Sequence, residues 1–352
     1  METTRNSGFE AVIVAGGFGT RLLPLTKHRP KHLLEVAGVP FLEHQIARLA
    51  QAGADHVVLA TSYHADLFEP ILGDGSRWGL RLSYVLEDEP LGTGGAIRNV
   101  AAALRPDPDA PIVILNGDVL SGHDLGGQLA DFARPRDGRP VEVSLHLVEV
   151  TDARAFGCVP TDGAGRVTAF VEKSDDPVAN QVNAGCYVFR RAVIDTIPAG
   201  RVVSVERETF PGLVADGHVV VGFVETAYWR DVGTPEALVA ASAELVRGVG
   251  TSPATPPSDG DRWVATDADV AGDAVVDGGS TVCGGARVGA GALVRGTVLM
   301  PGAVVEDGAQ LTDAVVGPGA RVGAGARLDR VTVGDGVEVP ADARPEAGSR
   351  LE

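Results

Sequence analysis

Residues 282–339 read VCGGARVGAGALVRGTVLMPGAVVEDGAQLTDAVVGPGARVGAGARLDRVTVGDGVEV. An aliphatic residue returns at Val282, Val288 and Val294, then after a five-residue step at Leu299, Val305 and Leu311. The same cycle continues through Val316, Val322 and Leu328 to Val333 and Val339, and runs backwards to Val264, Val270 and Val276. Neither a helix nor an isolated strand gives steps of six, six and five. A chain wound around three sides does, with one inward-pointing aliphatic residue per side and Gly or Ala at the corners. The spacing therefore predicts a three-sided coil repeating along an axis in about five turns.

Upstream, residues 248–262 read GVGTSPATPPSDGDR, a Pro/Gly/Ser-rich stretch with the composition of a linker. Before it, short apolar runs alternate with helix-like segments. Ala11-Val-Ile-Val-Ala15 is a continuous apolar run ending in glycines, as in a buried parallel strand. Phe41 to Ala52 places Leu42, Ile46 and Leu49 on one helical face. Strand candidates follow at Asp55–Ala60, Leu82–Leu86 and Pro111–Leu115, with helical stretches at Ala65–Leu72 and Gly95–Leu104 between them. This alternation predicts an α/β domain with a mainly parallel sheet. The expected organisation is an α/β domain at 1–247, a linker at 248–262 and the coiled domain at 263–352.

The net charge of −17 over 352 residues disfavours a broad nucleic-acid-binding face. No apolar run reaches 18 residues, and Met1 to Glu10 lacks a signal-peptide core, so a cytoplasmic chain without membrane partners is expected. Cys158, Cys186 and Cys283 have no metal-ligand spacing and read as reduced, buried thiols. One stretch runs against the overall charge. Between Arg21 and His32 the chain carries Arg21, Lys27, Arg29 and Lys31 with no acid, which suits a compact polyanion.

Directly after the first strand comes Gly16-Gly17-Phe18-Gly19-Thr20-Arg21. Glycines let backbone N–H groups approach phosphate oxygens, and a guanidinium can hold two oxygens at once. The run fits neither the G-x-G-x-x-G dinucleotide fingerprint nor the P-loop pattern. By itself it is also compatible with a plain tight turn.

The segment from Ala15 to Pro40, AGGFGTRLLPLTKHRPKHLLEVAGVP, resembles the signature of the nucleoside diphosphate-sugar pyrophosphorylases. The resemblance continues through EDEPLGTGGA from Glu87, Asn116-Gly117-Asp118, Phe156-Gly157, Glu172-Lys173, Asn183-Ala184-Gly185 and WRDVGTP from Trp229. AFGCVPTD, NAGCYVF and SVERETFPGL are similar to the mannose-1-phosphate guanylyltransferases of actinobacteria. The resemblance implies a Rossmann-like, GT-A-like nucleotidyltransferase domain followed by a left-handed parallel β-helix of hexapeptide repeats, and a homo-oligomer. It also implies transfer of a nucleotidyl group from a nucleoside triphosphate, GTP by preference, to a sugar 1-phosphate, with Mg²⁺ as cofactor.

It further implies roles residue by residue. Arg21 and Lys31 are the catalytic cations on the phosphates, and Asp118 and Asp231 the metal ligands. The nucleotide is bound by Ala15, Gly16, Gly17, Gly19, Thr20, Glu87, Gly92, Thr93, Asn116 and Gly117. The sugar phosphate is bound by Gly157, Glu172, Lys173 and Asn183. Mannose 1-phosphate leads as acceptor. Where relatives read P-K-P-M this chain reads Pro30-Lys31-His32-Leu33, which keeps a cyclitol phosphate such as valienol 1-phosphate, or a heptose 1-phosphate, open. Thymidylyl or adenylyl transfer to glucose 1-phosphate is a further alternative. Acyl transfer is disfavoured because residues 219–352 contain no histidine to serve as base. A non-catalytic regulatory subunit is disfavoured because Arg21, Lys31, Asp118 and Asp231 are all present.

Overall fold

A computed structural model describes residues 8–154, 157–171 and 175–352. The chain's contacts gather into two units. One runs up to Gly16 and then over Leu49–Trp229; the other joins Gly17–Arg48 to Arg230–Glu352. The composition break at 248–262 falls inside the second.

The first unit is built on a seven-stranded sheet. Its strands are β1 (Phe9–Ala15), β2 (Ala54–Thr61), β3 (Arg81–Leu86), β4 (Pro111–Asn116), β5 (Val143–Glu149), β6 (Gln181–Arg190) and β7 (Val220–Glu225). They lie in the order β7-β5-β6-β4-β1-β2-β3. β1, β2, β3 and β4 are mutually parallel, as the alternation of strands and helices predicts. β6 is antiparallel to both its neighbours, β4 and β5. The sheet is thus mixed. The register aligns Ala15 with Thr61 and Val14 with Asn116, so the glycine loop and the Asn116 turn leave the sheet at the same edge. The carboxyl ends of parallel strands are where open α/β sheets bind ligands. Val12, Ile114, Tyr187, Phe189 and Phe210 share the core beneath that edge.

The second unit contains the three-sided coil. Strands stack in parallel on three faces of six, five and four strands. Val282 pairs with Leu299, Leu299 with Val316 and Val316 with Val333, so each turn takes seventeen residues. Every aliphatic position of the series from Val276 to Val339 is buried, with Val264 and Val270 partly buried against the same core. At the five-residue corner Gly296, Asp313 and Arg330 adopt left-handed φ values of 55°, 49° and 53°, the region also taken by Gly285, Gly291, Gly302 and Gly308 at the six-residue corners. Beneath it the Thr297 amide donates to Ser280 Oγ at 3.0 Å, and the Ala314 amide to Thr297 Oγ1 at 3.2 Å, satisfying buried backbone N–H groups.

The helix Pro235–Val246 lies against the coil strand Ser280–Val282. It starts as its sequence dictates: Thr234 Oγ1 accepts from the Ala237 amide at 3.2 Å and Pro235 occupies the first turn. The linker is pinned rather than loose. Ser258 Oγ donates to the Val246 carbonyl at 2.6 Å, and Ser252 Oγ lies 2.7 Å from His44 Nδ1. Burial holds His44 down to about 4, so its ring is neutral near pH 7. With Nε2 2.9 Å from the Val36 carbonyl, Nε2 carries the proton and Nδ1 accepts from Ser252.

Candidate active site

The second unit holds the glycine loop from Gly17 onward together with Arg21, Lys31 and Asp231. Gly19 has φ of 65°, a left-handed conformation that favours glycine. A Cβ built there would lie 3.0 Å from both Lys31 Cβ and Thr26 Cγ2. One at Gly17 would lie 3.4 Å from Lys31 Cε and 3.6 Å from its Nζ. The loop is therefore folded onto the lysine side chain, and the Thr26 hydroxyl locks it by donating to the Gly19 carbonyl at 2.9 Å. Thr20 and Arg21 begin a 3₁₀ turn, Thr20–Leu22, and Lys31 begins another, Lys31–Leu33, after Pro30.

Arg21 Nη2 stands 4.0 Å from Asp231 Oδ1, and both side chains are substantially exposed. Such a pair contributes little to stability. It leaves a guanidinium able to turn toward an anion. Gly233 makes room for it, because a side chain there would collide with the Arg21 guanidinium and the Asp231 carboxylate. Sequence reading gave Gly233 no role, since the need for it arises only where two distant segments meet.

The first unit carries the remaining described candidates. Ser62 Oγ donates to the Gly16 carbonyl at 2.7 Å, and a Cβ at Gly16 would lie 3.6 Å from Glu87 Oε2. Glu87 is buried. Its Oε2 accepts from the Leu91 amide at 3.2 Å, while Oε1 is buried without a hydrogen-bond partner. Burial pushes this carboxyl above the usual carboxylate range, against the pull of the Leu91 N–H.

The loop Leu91–Gly95 opens the helix Gly92–Asn99. Its glycines serve packing as well as any ligand. A Cβ at Gly92 would lie 2.7 Å from the Val203 carbonyl, and one at Gly95 2.8 Å from the Arg201 carbonyl. The Gly94 amide donates to that Val203 carbonyl at 2.8 Å. Thr93 faces the next segment, donating to Glu206 Oε2 at 3.1 Å and accepting from the Val205 amide at 3.0 Å.

Glu206 lies in a π-helical turn, Val205–Thr209, a rare conformation that recurs at functional sites. Its carboxylate also accepts from Ser204 Oγ at 3.1 Å and from the Tyr187 hydroxyl at 3.4 Å. Tyr187 is fully buried and in turn accepts from Asn183 Nδ2 at 2.8 Å and Asn116 Nδ2 at 3.5 Å. One polar network thus joins two nucleotide-binding candidates, Thr93 and Asn116, to the acceptor candidate Asn183. Neither Glu206 nor Tyr187 is among the residues the sequence singled out; a tyrosine inside an apolar strand gives no sign of what its hydroxyl meets. Gly117 donates its amide to the Val14 carbonyl at 2.9 Å, fixing the turn that carries the half-buried Asp118. Gly157 is partly buried, whereas Glu172 and Lys173 lie outside the described residues.

Among the described residues no three His, Cys, Asp or Glu side chains gather as a metal centre. Asp118 and Asp231 are both partly accessible carboxylates. A carboxylate that solvent reaches can, taken singly, donate an oxygen to a hard divalent cation that keeps several waters. The three cysteines are buried and not joined in a disulfide, and no helix among the described residues is long and apolar enough to cross a membrane.

The nucleotidyl transferase family profile matches residues 10–248. The chain belongs to that family. A GlmU-like C-terminal hexapeptide profile matches residues 260–345, over the three-sided coil. The chain is 56% identical over 246 residues to a mannose-1-phosphate guanylyltransferase of Mycobacterium tuberculosis, covering 70% of this chain and 67% of that protein. It is 36% identical over 230 residues to a mannose-1-phosphate guanyltransferase of Neurospora crassa, covering 64% of this chain and 61% of the relative. The chain thus spans about two thirds of the length of these relatives. Among solved structures it resembles HddC from Yersinia pseudotuberculosis, with a TM-score of 0.57 and 28% identity, over 66% of this chain and 97% of that one. HddC has also been solved with GMP-PN, and that structure matches with a TM-score of 0.56. Family membership makes this chain a transferase built as a nucleotidyltransferase domain followed by hexapeptide coils.

Proposed function

We propose that this chain transfers a guanylyl group from GTP to mannose 1-phosphate, giving GDP-mannose and pyrophosphate. The observation that carries the reading is the glycine loop folded on Lys31, with Arg21 beside it and open to solvent. A phosphate oxygen of the sugar 1-phosphate attacks the α-phosphorus, and the bond to the β-phosphate oxygen breaks. Both reactants are anions, so positioning and charge neutralisation are what the protein must supply. Lys31 meets the phosphates at the reacting centre, the loop N–H groups hold the triphosphate, and Arg21 takes up charge on the departing pyrophosphate. We assign Asp118 and Asp231 to Mg²⁺, which would neutralise phosphate oxygens when bound. Gly157, Glu172, Lys173 and Asn183 are assigned to the acceptor.

Guanine is supported by the names of the relatives, by GMP-PN in the HddC crystal and by Glu87. A carboxylate with a buried oxygen lacking a partner can accept from the adjacent N1–H and N2 amino donors that only guanine presents. We keep the catalytic domain at 1–247, the linker at 248–262 and the β-helix at 263–352, and assign a homo-oligomer acting in the cytoplasm. The test is a matrix of five nucleoside triphosphates against mannose, glucose, heptose and valienol 1-phosphates, read as pyrophosphate release. GTP with mannose 1-phosphate should turn over fastest. Turnover confined to valienol or heptose 1-phosphate would replace the acceptor, and no turnover with any pair would sink the enzyme reading.

A further inference from the structure

We infer that the last coils of the β-helix act as a positioning element for the phosphate-handling segment, through an ion pair between Arg29 and Asp335. Arg29 lies two residues before Lys31, and Asp335 lies at a corner of the coil, 306 residues further on. Arg29 Nη2 donates to Asp335 Oδ2 at 2.6 Å, with both side chains largely covered. Charge-assisted bonds of this geometry are the strong kind, and partial burial spares them much of the screening that weakens surface pairs.

Two further contacts hold the same segment. Arg350, on the final strand, donates from Nη1 to the Leu23 carbonyl at 3.1 Å. A Cβ at Gly334, the residue before Asp335, would lie 3.1 Å from Pro24 Cγ, so the proline ring rests directly on the coil corner. Leu23 and Pro24 follow Arg21 closely, and Arg29 precedes Lys31. The coil therefore grips the segment just beyond one catalytic candidate and just before the other.

The segment is held again beyond Lys31. The Trp263 indole covers Gly38 so closely that no side chain fits there, and the Ala37 amide donates to Ser242 Oγ at 3.2 Å. Lys31 sits between these holds and Arg21 just ahead of the first, on a stretch with only short 3₁₀ turns of its own. Helical turns this short have little independent stability. Their order is set by what they rest on, and that is largely the coil.

This proposal rests on the assignment of Arg21 and Lys31 to the phosphates, and its test separates the two. The full chain, Asp335→Asn, Arg29→Gln and the exchanged pair Arg29→Asp with Asp335→Arg would be compared in two measurements. Hydrogen exchange would follow the amides of Leu25, Lys27, Leu33 and Leu34, all of which are hydrogen-bonded within the segment. Steady-state kinetics would follow kcat and KM for GTP and mannose 1-phosphate. Each single variant should speed exchange of those amides at least fivefold and lower kcat about tenfold, with KM for mannose 1-phosphate within twofold. The exchanged pair should recover both, which a general loss of folding would not allow. Unchanged exchange in the single variants would overturn the inference, as would faster exchange with unaltered kcat. A wild-type chain that turns over no pair would remove the catalytic reading alone, and the exchange measurement would then decide whether the coil orders the segment.

Discussion

The buried Tyr187 hydroxyl accepts the Asn183 amide at 2.8 Å, and that same hydroxyl reaches Glu206, the carboxylate that also receives Thr93. A residue assigned to the sugar phosphate is thereby set by the loop assigned to the nucleotide. Removing the hydroxyl in Tyr187→Phe leaves the Asn183 N–H and a Glu206 oxygen, both only partly buried, without this partner, at a cost of about 1 kcal/mol. KM for mannose 1-phosphate should rise about tenfold, equivalent to about 1.4 kcal/mol, with kcat within about threefold. Steady-state kinetics decide it: an unchanged KM would make the tyrosine a packing residue.

Gly19→Ala tests the folded glycine loop. An alanine there must keep a left-handed φ, and its Cβ sits 3.0 Å from Lys31 Cβ, so backbone and lysine both have to shift. We expect kcat/KM for GTP to fall by about two orders of magnitude, a loss equivalent to about 2.7 kcal/mol of transition-state stabilisation. Gly163→Ala is the control, because a Cβ there meets nothing within 4 Å. If both variants retained wild-type rates, the loop would be an ordinary turn.

Asp118→Asn keeps the shape of the half-buried side chain while removing its charge. It should abolish most pyrophosphate release and leave the unfolding midpoint near that of the wild type. Chelation of divalent cations should silence the wild-type chain, with Mg²⁺ restoring it. Near-normal rates in the variant would take Asp118 out of the metal assignment.

Glu35 gives a prediction in pH. Burial, reinforced by Glu43 and opposed by Arg29, pushes its carboxyl up to about 7, and its Oε2 is buried without a hydrogen-bond partner. A folded value raised above the unfolded one means that the folded protein holds the proton more tightly. That contribution is complete below about 4.5 and is lost as pH rises through about 7. In Glu35→Gln this part of the pH dependence should vanish. The variant should then gain on the wild type between pH 5 and 8, by on the order of 2–3 kcal/mol at the upper end. Urea unfolding across that range checks the sign. A wild type that gained stability over the variant as pH rose would contradict the burial of a neutral carboxyl.

What could be read in the chain and what could not divide along a physical line. The coils were legible because each inward position repeats the same environment, so Val282, Leu299, Val316 and Val333 spell their own geometry. Gly19 was legible because a phosphate loop needs close backbone approach, and that need falls on adjacent residues. Gly233, Tyr187 and Asp335 were not. Gly233 is required by the Arg21 side chain and Asp335 meets Arg29 306 residues away, while the Tyr187 hydroxyl meets Asn183, Glu206 and Asn116 at separations of 4, 19 and 71 residues, and no local pattern records such meetings. The glycines at 92 to 95 sit between these cases. Their motif marked a ligand loop, but the crowding that demands them comes from Arg201 and Val203. The antiparallel Gln181–Arg190 strand escaped too, since an apolar run is silent about direction.

The seventeen-residue turn makes the length of the prism a quantised variable. Deleting Met300–Val316 would join Leu299 to Gly317 and keep every inward aliphatic residue on its face, so the shortened coil should still fold. It would also draw Asp335 and Arg350 along the axis by one strand spacing, about 4.8 Å, too far for either to keep its grip on the segment before Lys31. In this protein, counting turns amounts to setting a ruler, and the ruler must end level with Arg29.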